Sequence, residues 1–90
     1  MRQSRRVSVD VPADQPAPAI SEFAYDENTE QLYVTLSSGG TRVYFPLSAR
    51  VYGQFYDAVS REAFLSTTIQ PRSHDRPVTG IPRRLPREWA

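Results

Sequence analysis

A chain of 90 residues with a net charge of +1 has room for one domain and one modest core, burying only about 60% of the surface that its unfolded form exposes. With no cysteine and a single histidine, it excludes a disulfide framework, a thiolate metal site and a cysteine nucleophile. Its apolar stretches are a few residues long against the about 20 needed to span a bilayer. The basic opening Met1 to Arg6 runs into Asp10, Pro12, Asp14 and Pro16 rather than the apolar segment of a signal peptide, so a cytoplasmic location without membrane partners is expected.

Residues 1–19 hold three of the eight prolines and none of the ten aromatics, and they are expected to form a flexible tail. A domain over 20–69 follows, because nine aromatics lie between Phe23 and Phe64 and supply its core. Phe23 and Tyr25 alternate with Glu22, Ala24 and Asp26 in the period of two of a first strand, and Asp26-Glu27-Asn28-Thr29 is turn chemistry. Leu32, Val34 and Leu36 alternate with Tyr33, Thr35 and Ser37 in a second strand, and Thr41 to Phe45 reads as a returning third. If Gly39-Gly40 is a two-residue turn, Leu36 faces Val43 and Val34 faces Phe45, which sets both apolar rows on one side.

After Pro46, Ser48 is a candidate N-cap. Val51, Phe55 and Val59 recur at intervals of four, predicting an amphipathic helix over roughly 48–62 that packs on the apolar sheet face. Phe64, Leu65 and Ile69 form a short closing segment before Pro71. Residues 70–90 carry four prolines with Arg72, Arg76, Arg83, Arg84 and Arg87, and are expected to be a flexible basic tail. The expected fold class is therefore α+β, a small antiparallel sheet of about three strands in β-β-β-α order, one helix on one face, and flexible tails at both ends.

The series Ile20-x-x-Phe23-x-Tyr25-Asp26, Leu32-x-Val34, Gly40, Tyr44, Val51-Tyr52, Ala58-x-Ser60, Phe64 and Ile69 resembles the KTSC domain. That small family is named for the C-terminus of some lysyl-tRNA synthetases and also includes stand-alone bacterial proteins. This sequence departs from the family pattern in three places. The first tyrosine of a Tyr-x-Tyr motif falls on Arg42, a proline common before the helix falls on Ser48, and a glycine common after it falls on Glu62. The resemblance implies a sheet-plus-helix fold, a suggested role in RNA binding and no catalytic residues.

The residues themselves support no enzyme, cofactor or metal. His74 sits beside Asp75 in the tail without a preorganised partner, and Asp26, Glu27 and Glu30 fit no calcium-loop spacing. Gly39-Gly40 lacks the Gly-Lys-Ser/Thr element of a phosphate loop, and no serine sits in a nucleophile elbow.

Binding chemistry is better represented. The two-residue turn would gather Tyr33, Thr35, Ser37, Arg42 and Tyr44 on the sheet face opposite the helix, where aromatics beside an arginine make a stacking platform for unpaired bases. In the tail, Arg76, Arg83, Arg84 and Arg87 offer charge and Trp89 an anchor. A binding module for RNA or another nucleic acid is expected. The alternative is a protein-interaction module that docks its tail on an acidic partner, or a homodimer paired along sheet edges. The tail could instead lie as a strap over the acidic front half of its own domain.

Overall fold

The computed structural model describes residues 19–89, so the expected N-terminal tail lies outside the described residues apart from Ala19. The alternating stretches form three successive antiparallel strands, β1 (Ile20–Asp26), β2 (Gln31–Leu36) and β3 (Thr41–Phe45). The first turn works as its composition predicts. Asp26 Oδ1 accepts from the Asn28 N–H at 3.0 Å, and Glu30 takes a φ of 54° to swing the chain into β2.

The second turn overturns the expected register. Leu36 and Gly40 close the loop, with the Leu36 N–H donating to the Gly40 carbonyl at 3.0 Å and the Gly39 N–H to the Leu36 carbonyl at 2.9 Å. Gly39 and Gly40 take φ of 97° and 81°, which only glycine adopts at little cost. Val34 therefore opposes Arg42 rather than Phe45. This offset of three residues is odd, so it moves every β3 side chain to the opposite face. Tyr44 joins Phe23, Leu32 and Val34 beneath the helices, while Val43 lies with Ala24 and Tyr33 on the other side.

Helix α1 (Ala49–Asp57) begins where expected, with Ser48 Oγ accepting from the Val51 N–H at 3.2 Å. It buries Phe55 edge-on against Phe23, ring centroids 5.0 Å apart. It does not reach residue 62. Ala58 is extended, Val59 projects fully into solvent, and Ser60 caps a second helix, α2 (Arg61–Phe64), through the Ala63 N–H at 3.2 Å. A serine able to satisfy a new set of backbone donors thus outweighs the apolar spacing of Val59. α2 runs into a π-helical stretch (Leu65–Ile69) that buries Leu65 and Ile69, then a 3₁₀ turn (Gln70–Arg72).

The largest correction concerns the C-terminal segment. Where a flexible tail was expected, His74–Val78 forms β4 against β3, and Glu88–Trp89 forms β5 against β1. The sheet has five strands in the order β4-β3-β2-β1-β5, rather than three, and it is accompanied by two α-helices rather than one. Residues 79–87 cross the face opposite the helices as a strap. Four strand spacings amount to about 19 Å, within reach of nine residues that extend to about 30 Å. Ile81 is buried against Ala24, Tyr33 and Val43, with Val78, Leu85 and Phe45 packed around them.

Both sheet faces are therefore stability-bearing. Phe55→Ala should cost about 3–5 kcal/mol and Ile81→Ala about 2–5 kcal/mol in a denaturant titration. A flexible tail would leave the Ile81 substitution near zero.

Candidate nucleic-acid interface

The strap presents two sides. Pro82 to Leu85 forms a turn closed by the Leu85 N–H on the Pro82 carbonyl at 3.1 Å. Ile81 and Leu85 flank it and pack on the sheet, while Arg83 and Arg84 at its centre are exposed. Arg87 is exposed too and donates from Nη2 to the Ile81 carbonyl at 3.3 Å, tying one end of the strap to the other. At the β4 edge the Arg76 guanidinium lies over the Phe45 ring, 5.6 Å from its centroid, with the head exposed. At the β5 edge Trp89, opposite Glu22 in register, is 74% exposed.

Of the eight residues singled out in the sequence, five lie on the strap's side of the sheet: Arg76, Arg83, Arg84, Arg87 and Trp89. The other three do not form the expected open platform. Tyr33 is buried beneath the strap, and its hydroxyl donates to Gln31 Oε1 at 3.1 Å. Tyr44 is buried in the opposite core, its oxygen accepting from Gln70 Nε2 at 3.4 Å. Arg42 shares that opposite face and is held by Asp75, with Nε donating to Oδ2 at 2.7 Å and Nη2 at 2.6 Å. The register change explains Tyr44 and Arg42, and the strap explains Tyr33.

One buried charged residue carries no local sequence signal of its burial. Asp26 is 2% exposed, and Arg84 reaches across from the strap to within 2.8 Å of its Oδ2. The Arg84 guanidinium beside it holds the Asp26 carboxyl below the usual carboxylate range, with Thr29 and the Asn28 N–H adding to the effect against the opposing influence of burial. A turn acid in the sequence gives no sign of burial. The available signal was that Tyr25-Asp26 belongs to the family pattern although a carboxylate has no place in an apolar core.

The KTSC domain family matches residues 18–72, or 55 of the 90 residues. The chain belongs to the KTSC domain family. A KTSC domain protein from Yersinia pestis, solved by crystallography, superposes with a TM-score of 0.61 at 24% identity over 71% of this chain and 93% of that one, a likeness that bears on the fold alone. No curated protein matches the sequence significantly. β4, the strap and β5 all follow the residues matched to the family.

Among the described residues, no three His, Cys, Asp or Glu side chains converge as a metal site requires, and no helix is long and apolar enough to cross a membrane.

The Asp26–Arg84 pair should make strap docking sensitive to acid. The folded carboxyl titrates below its unfolded value of about 3.9, so its contribution is present above that pH and is lost as pH falls through the lower folded value. Arg84→Gln should lower the thermal midpoint at pH 7, and the gap from the parent protein should shrink by pH 3. A gap that is the same at both values would contradict this account.

Proposed function

We propose that this KTSC domain is a non-enzymatic, cytoplasmic binding module that holds single-stranded nucleic acid, RNA before DNA, on the outer surface of its strap. The observation that carries this reading is the placing of Arg76, Arg83, Arg87 and the largely exposed Trp89 on one side of the sheet by an ordered segment. Guanidinium groups grip phosphates through paired N–H donors, and an indole face stacks on any base. Two of the nearby charges are already engaged, Asp75 by Arg42 and Arg84 by Asp26. The remaining local balance favours an anionic ligand. The choice of RNA follows the role suggested for the family.

The rival reading, a protein-interaction module, draws less support from this geometry. The tail that was to dock on a partner is packed on its own domain. The β4 edge carries His74, Asp75, Arg76 and Pro77, all exposed, and charges with proline are devices that blunt pairing between sheet edges.

Fluorescence anisotropy with a labelled single-stranded RNA separates the two contributions. Arg83→Gln combined with Arg87→Gln should reduce the slope of log affinity against log salt by about 1.4, at about 0.7 per phosphate contact. Trp89→Ala should weaken binding by about 1–3 kcal/mol with the slope nearly unchanged, because stacking releases no counterions. Absence of binding tighter than about millimolar at about 50 mM salt, for RNA and DNA alike, would transfer the proposal to the protein-interaction module.

A further inference from the structure

A groove of about 430 Å³ opens between the first turn, α1 and the strap. Its walls include Tyr25 and Tyr52, whose rings stack at 4.4 Å with planes 9° apart. Tyr25 is fixed in place by its hydroxyl, which donates to the Leu47 carbonyl. Asp26, Glu27 and Glu88 bring three carboxylates to the groove and Arg84 a single cation. The Asp26–Arg84 pair neutralises itself, and among the described residues no ion pair engages Glu27 or Glu88. Glu88 Oε1 instead accepts a long hydrogen bond from the Tyr56 hydroxyl, 3.4 Å away.

The groove thus combines aromatic walls with two carboxylates in excess. Burial raises the Tyr25 phenol's pKa first, and the carboxylates of Glu30, outside the groove, and of Glu27 and Asp26, on its wall, add to that rise. Burial together with Glu88 pushes the Tyr52 phenol up to about 12.

We propose that this groove binds an organic cation, a guanidinium or primary ammonium group on a short aliphatic stem. Glu27 and Glu88 supply charge-assisted acceptors for its N–H donors. The aromatic walls suit a cation, and Leu85 and Pro86 on the strap side give the stem apolar surface. A bare metal ion fits less well, because no three ligating side chains converge among the described residues. Arg84 already shows the chemistry within the same chain, since it is a guanidinium lodged against a carboxylate of this groove. The cation has two possible sources, a free amine or an arginine side chain of a peptide.

The test is an NMR titration of the full chain, following the ring resonances of Tyr25 and Tyr52. The probes are agmatine for the free amine, N-acetyl-arginine amide for the peptide side chain, and N-acetyl-citrulline amide as the uncharged match. Saturable shifts are expected with a charged probe and not with the citrulline compound. Whichever charged probe binds more tightly, by about tenfold or more, identifies the source, and similar affinities mean that the site reads the cationic head alone. Glu88→Gln should weaken binding by about tenfold. Because Glu88 lies in β5, Glu27→Gln on the exposed turn provides a second variant that leaves the sheet intact, and it should weaken binding in the same direction. The proposal is overturned if neither charged probe gives saturable shifts at about 10 mM, if the citrulline amide binds equally well, or if both variants bind like the parent protein.

Discussion

The structure depends on one constraint: its sheet is apolar on both faces, and the helices cover only one of them. α1, α2 and the π-helical stretch seal Phe23, Leu32, Val34 and Tyr44. Ala24, Tyr33 and Val43 would remain open to water on the other side without the strap, which brings Ile81 and Leu85 to cover them. In a chain this short, a second uncovered apolar layer would forfeit a large part of the burial that offsets the entropy of folding. The same constraint selects the register of β3. Once both faces are buried, neither has to gather every apolar residue, and the loop of Leu36 to Gly40 can set Tyr44 on one side and Val43 on the other.

What could be read from the sequence follows from this. β1, β2 and β3 were legible because each alternates strongly, and α1 was legible at its start because Ser48 and Phe55 obey local rules that tertiary context did not override. Its end was not, since Val59 fits the helical spacing while Ser60 offers a cap that spacing does not reveal. β4 carries no apolar alternation, being exposed along four of its five residues, so it gains its place through backbone pairing with β3. Ile81 and Leu85 are single apolar residues set among prolines and arginines, and a period cannot be drawn through two points. At the candidate site, the exposure of the tail arginines was legible because that is the ordinary state of an arginine in a Pro-rich segment. Tyr33 and Tyr44 were not, because their faces depended on a register and a covering layer that lie outside local pattern.

An ordered strap also changes the physics of binding. Arginines on a flexible tail lose backbone and side-chain freedom when they engage a ligand, whereas those on a docked segment have met part of that cost on folding. Arg76 is steadied by Phe45 and Arg87 by the Ile81 carbonyl, so each presents its remaining donors from a restricted set of positions. The family match ends at residue 72, just before β4, so the residues matched to the family supply the three-stranded core and the helices, and among the described residues the segment beyond them supplies most of the exposed arginines, Arg76, Arg83, Arg84 and Arg87.

Arg84 links the two surfaces of opposite sign. By reaching down to Asp26 it removes one positive charge from the outer side of the strap and one negative charge from the groove, and it fixes the strap at the point where the two meet. The outer surface keeps the positive charges of Arg83 and Arg87, and the groove keeps the negative charges of Glu27 and Glu88. If the strap lifts, Asp26 loses the guanidinium that lowers its pKa, and the groove loses Leu85 and Pro86 together. An organic cation that grips both Glu27 and Glu88 would bridge the turn to β5 and add a second tie across the same gap. By linkage, such a ligand stabilises the docked strap by the free energy with which it prefers that state, and holds the outer arginines in the same arrangement.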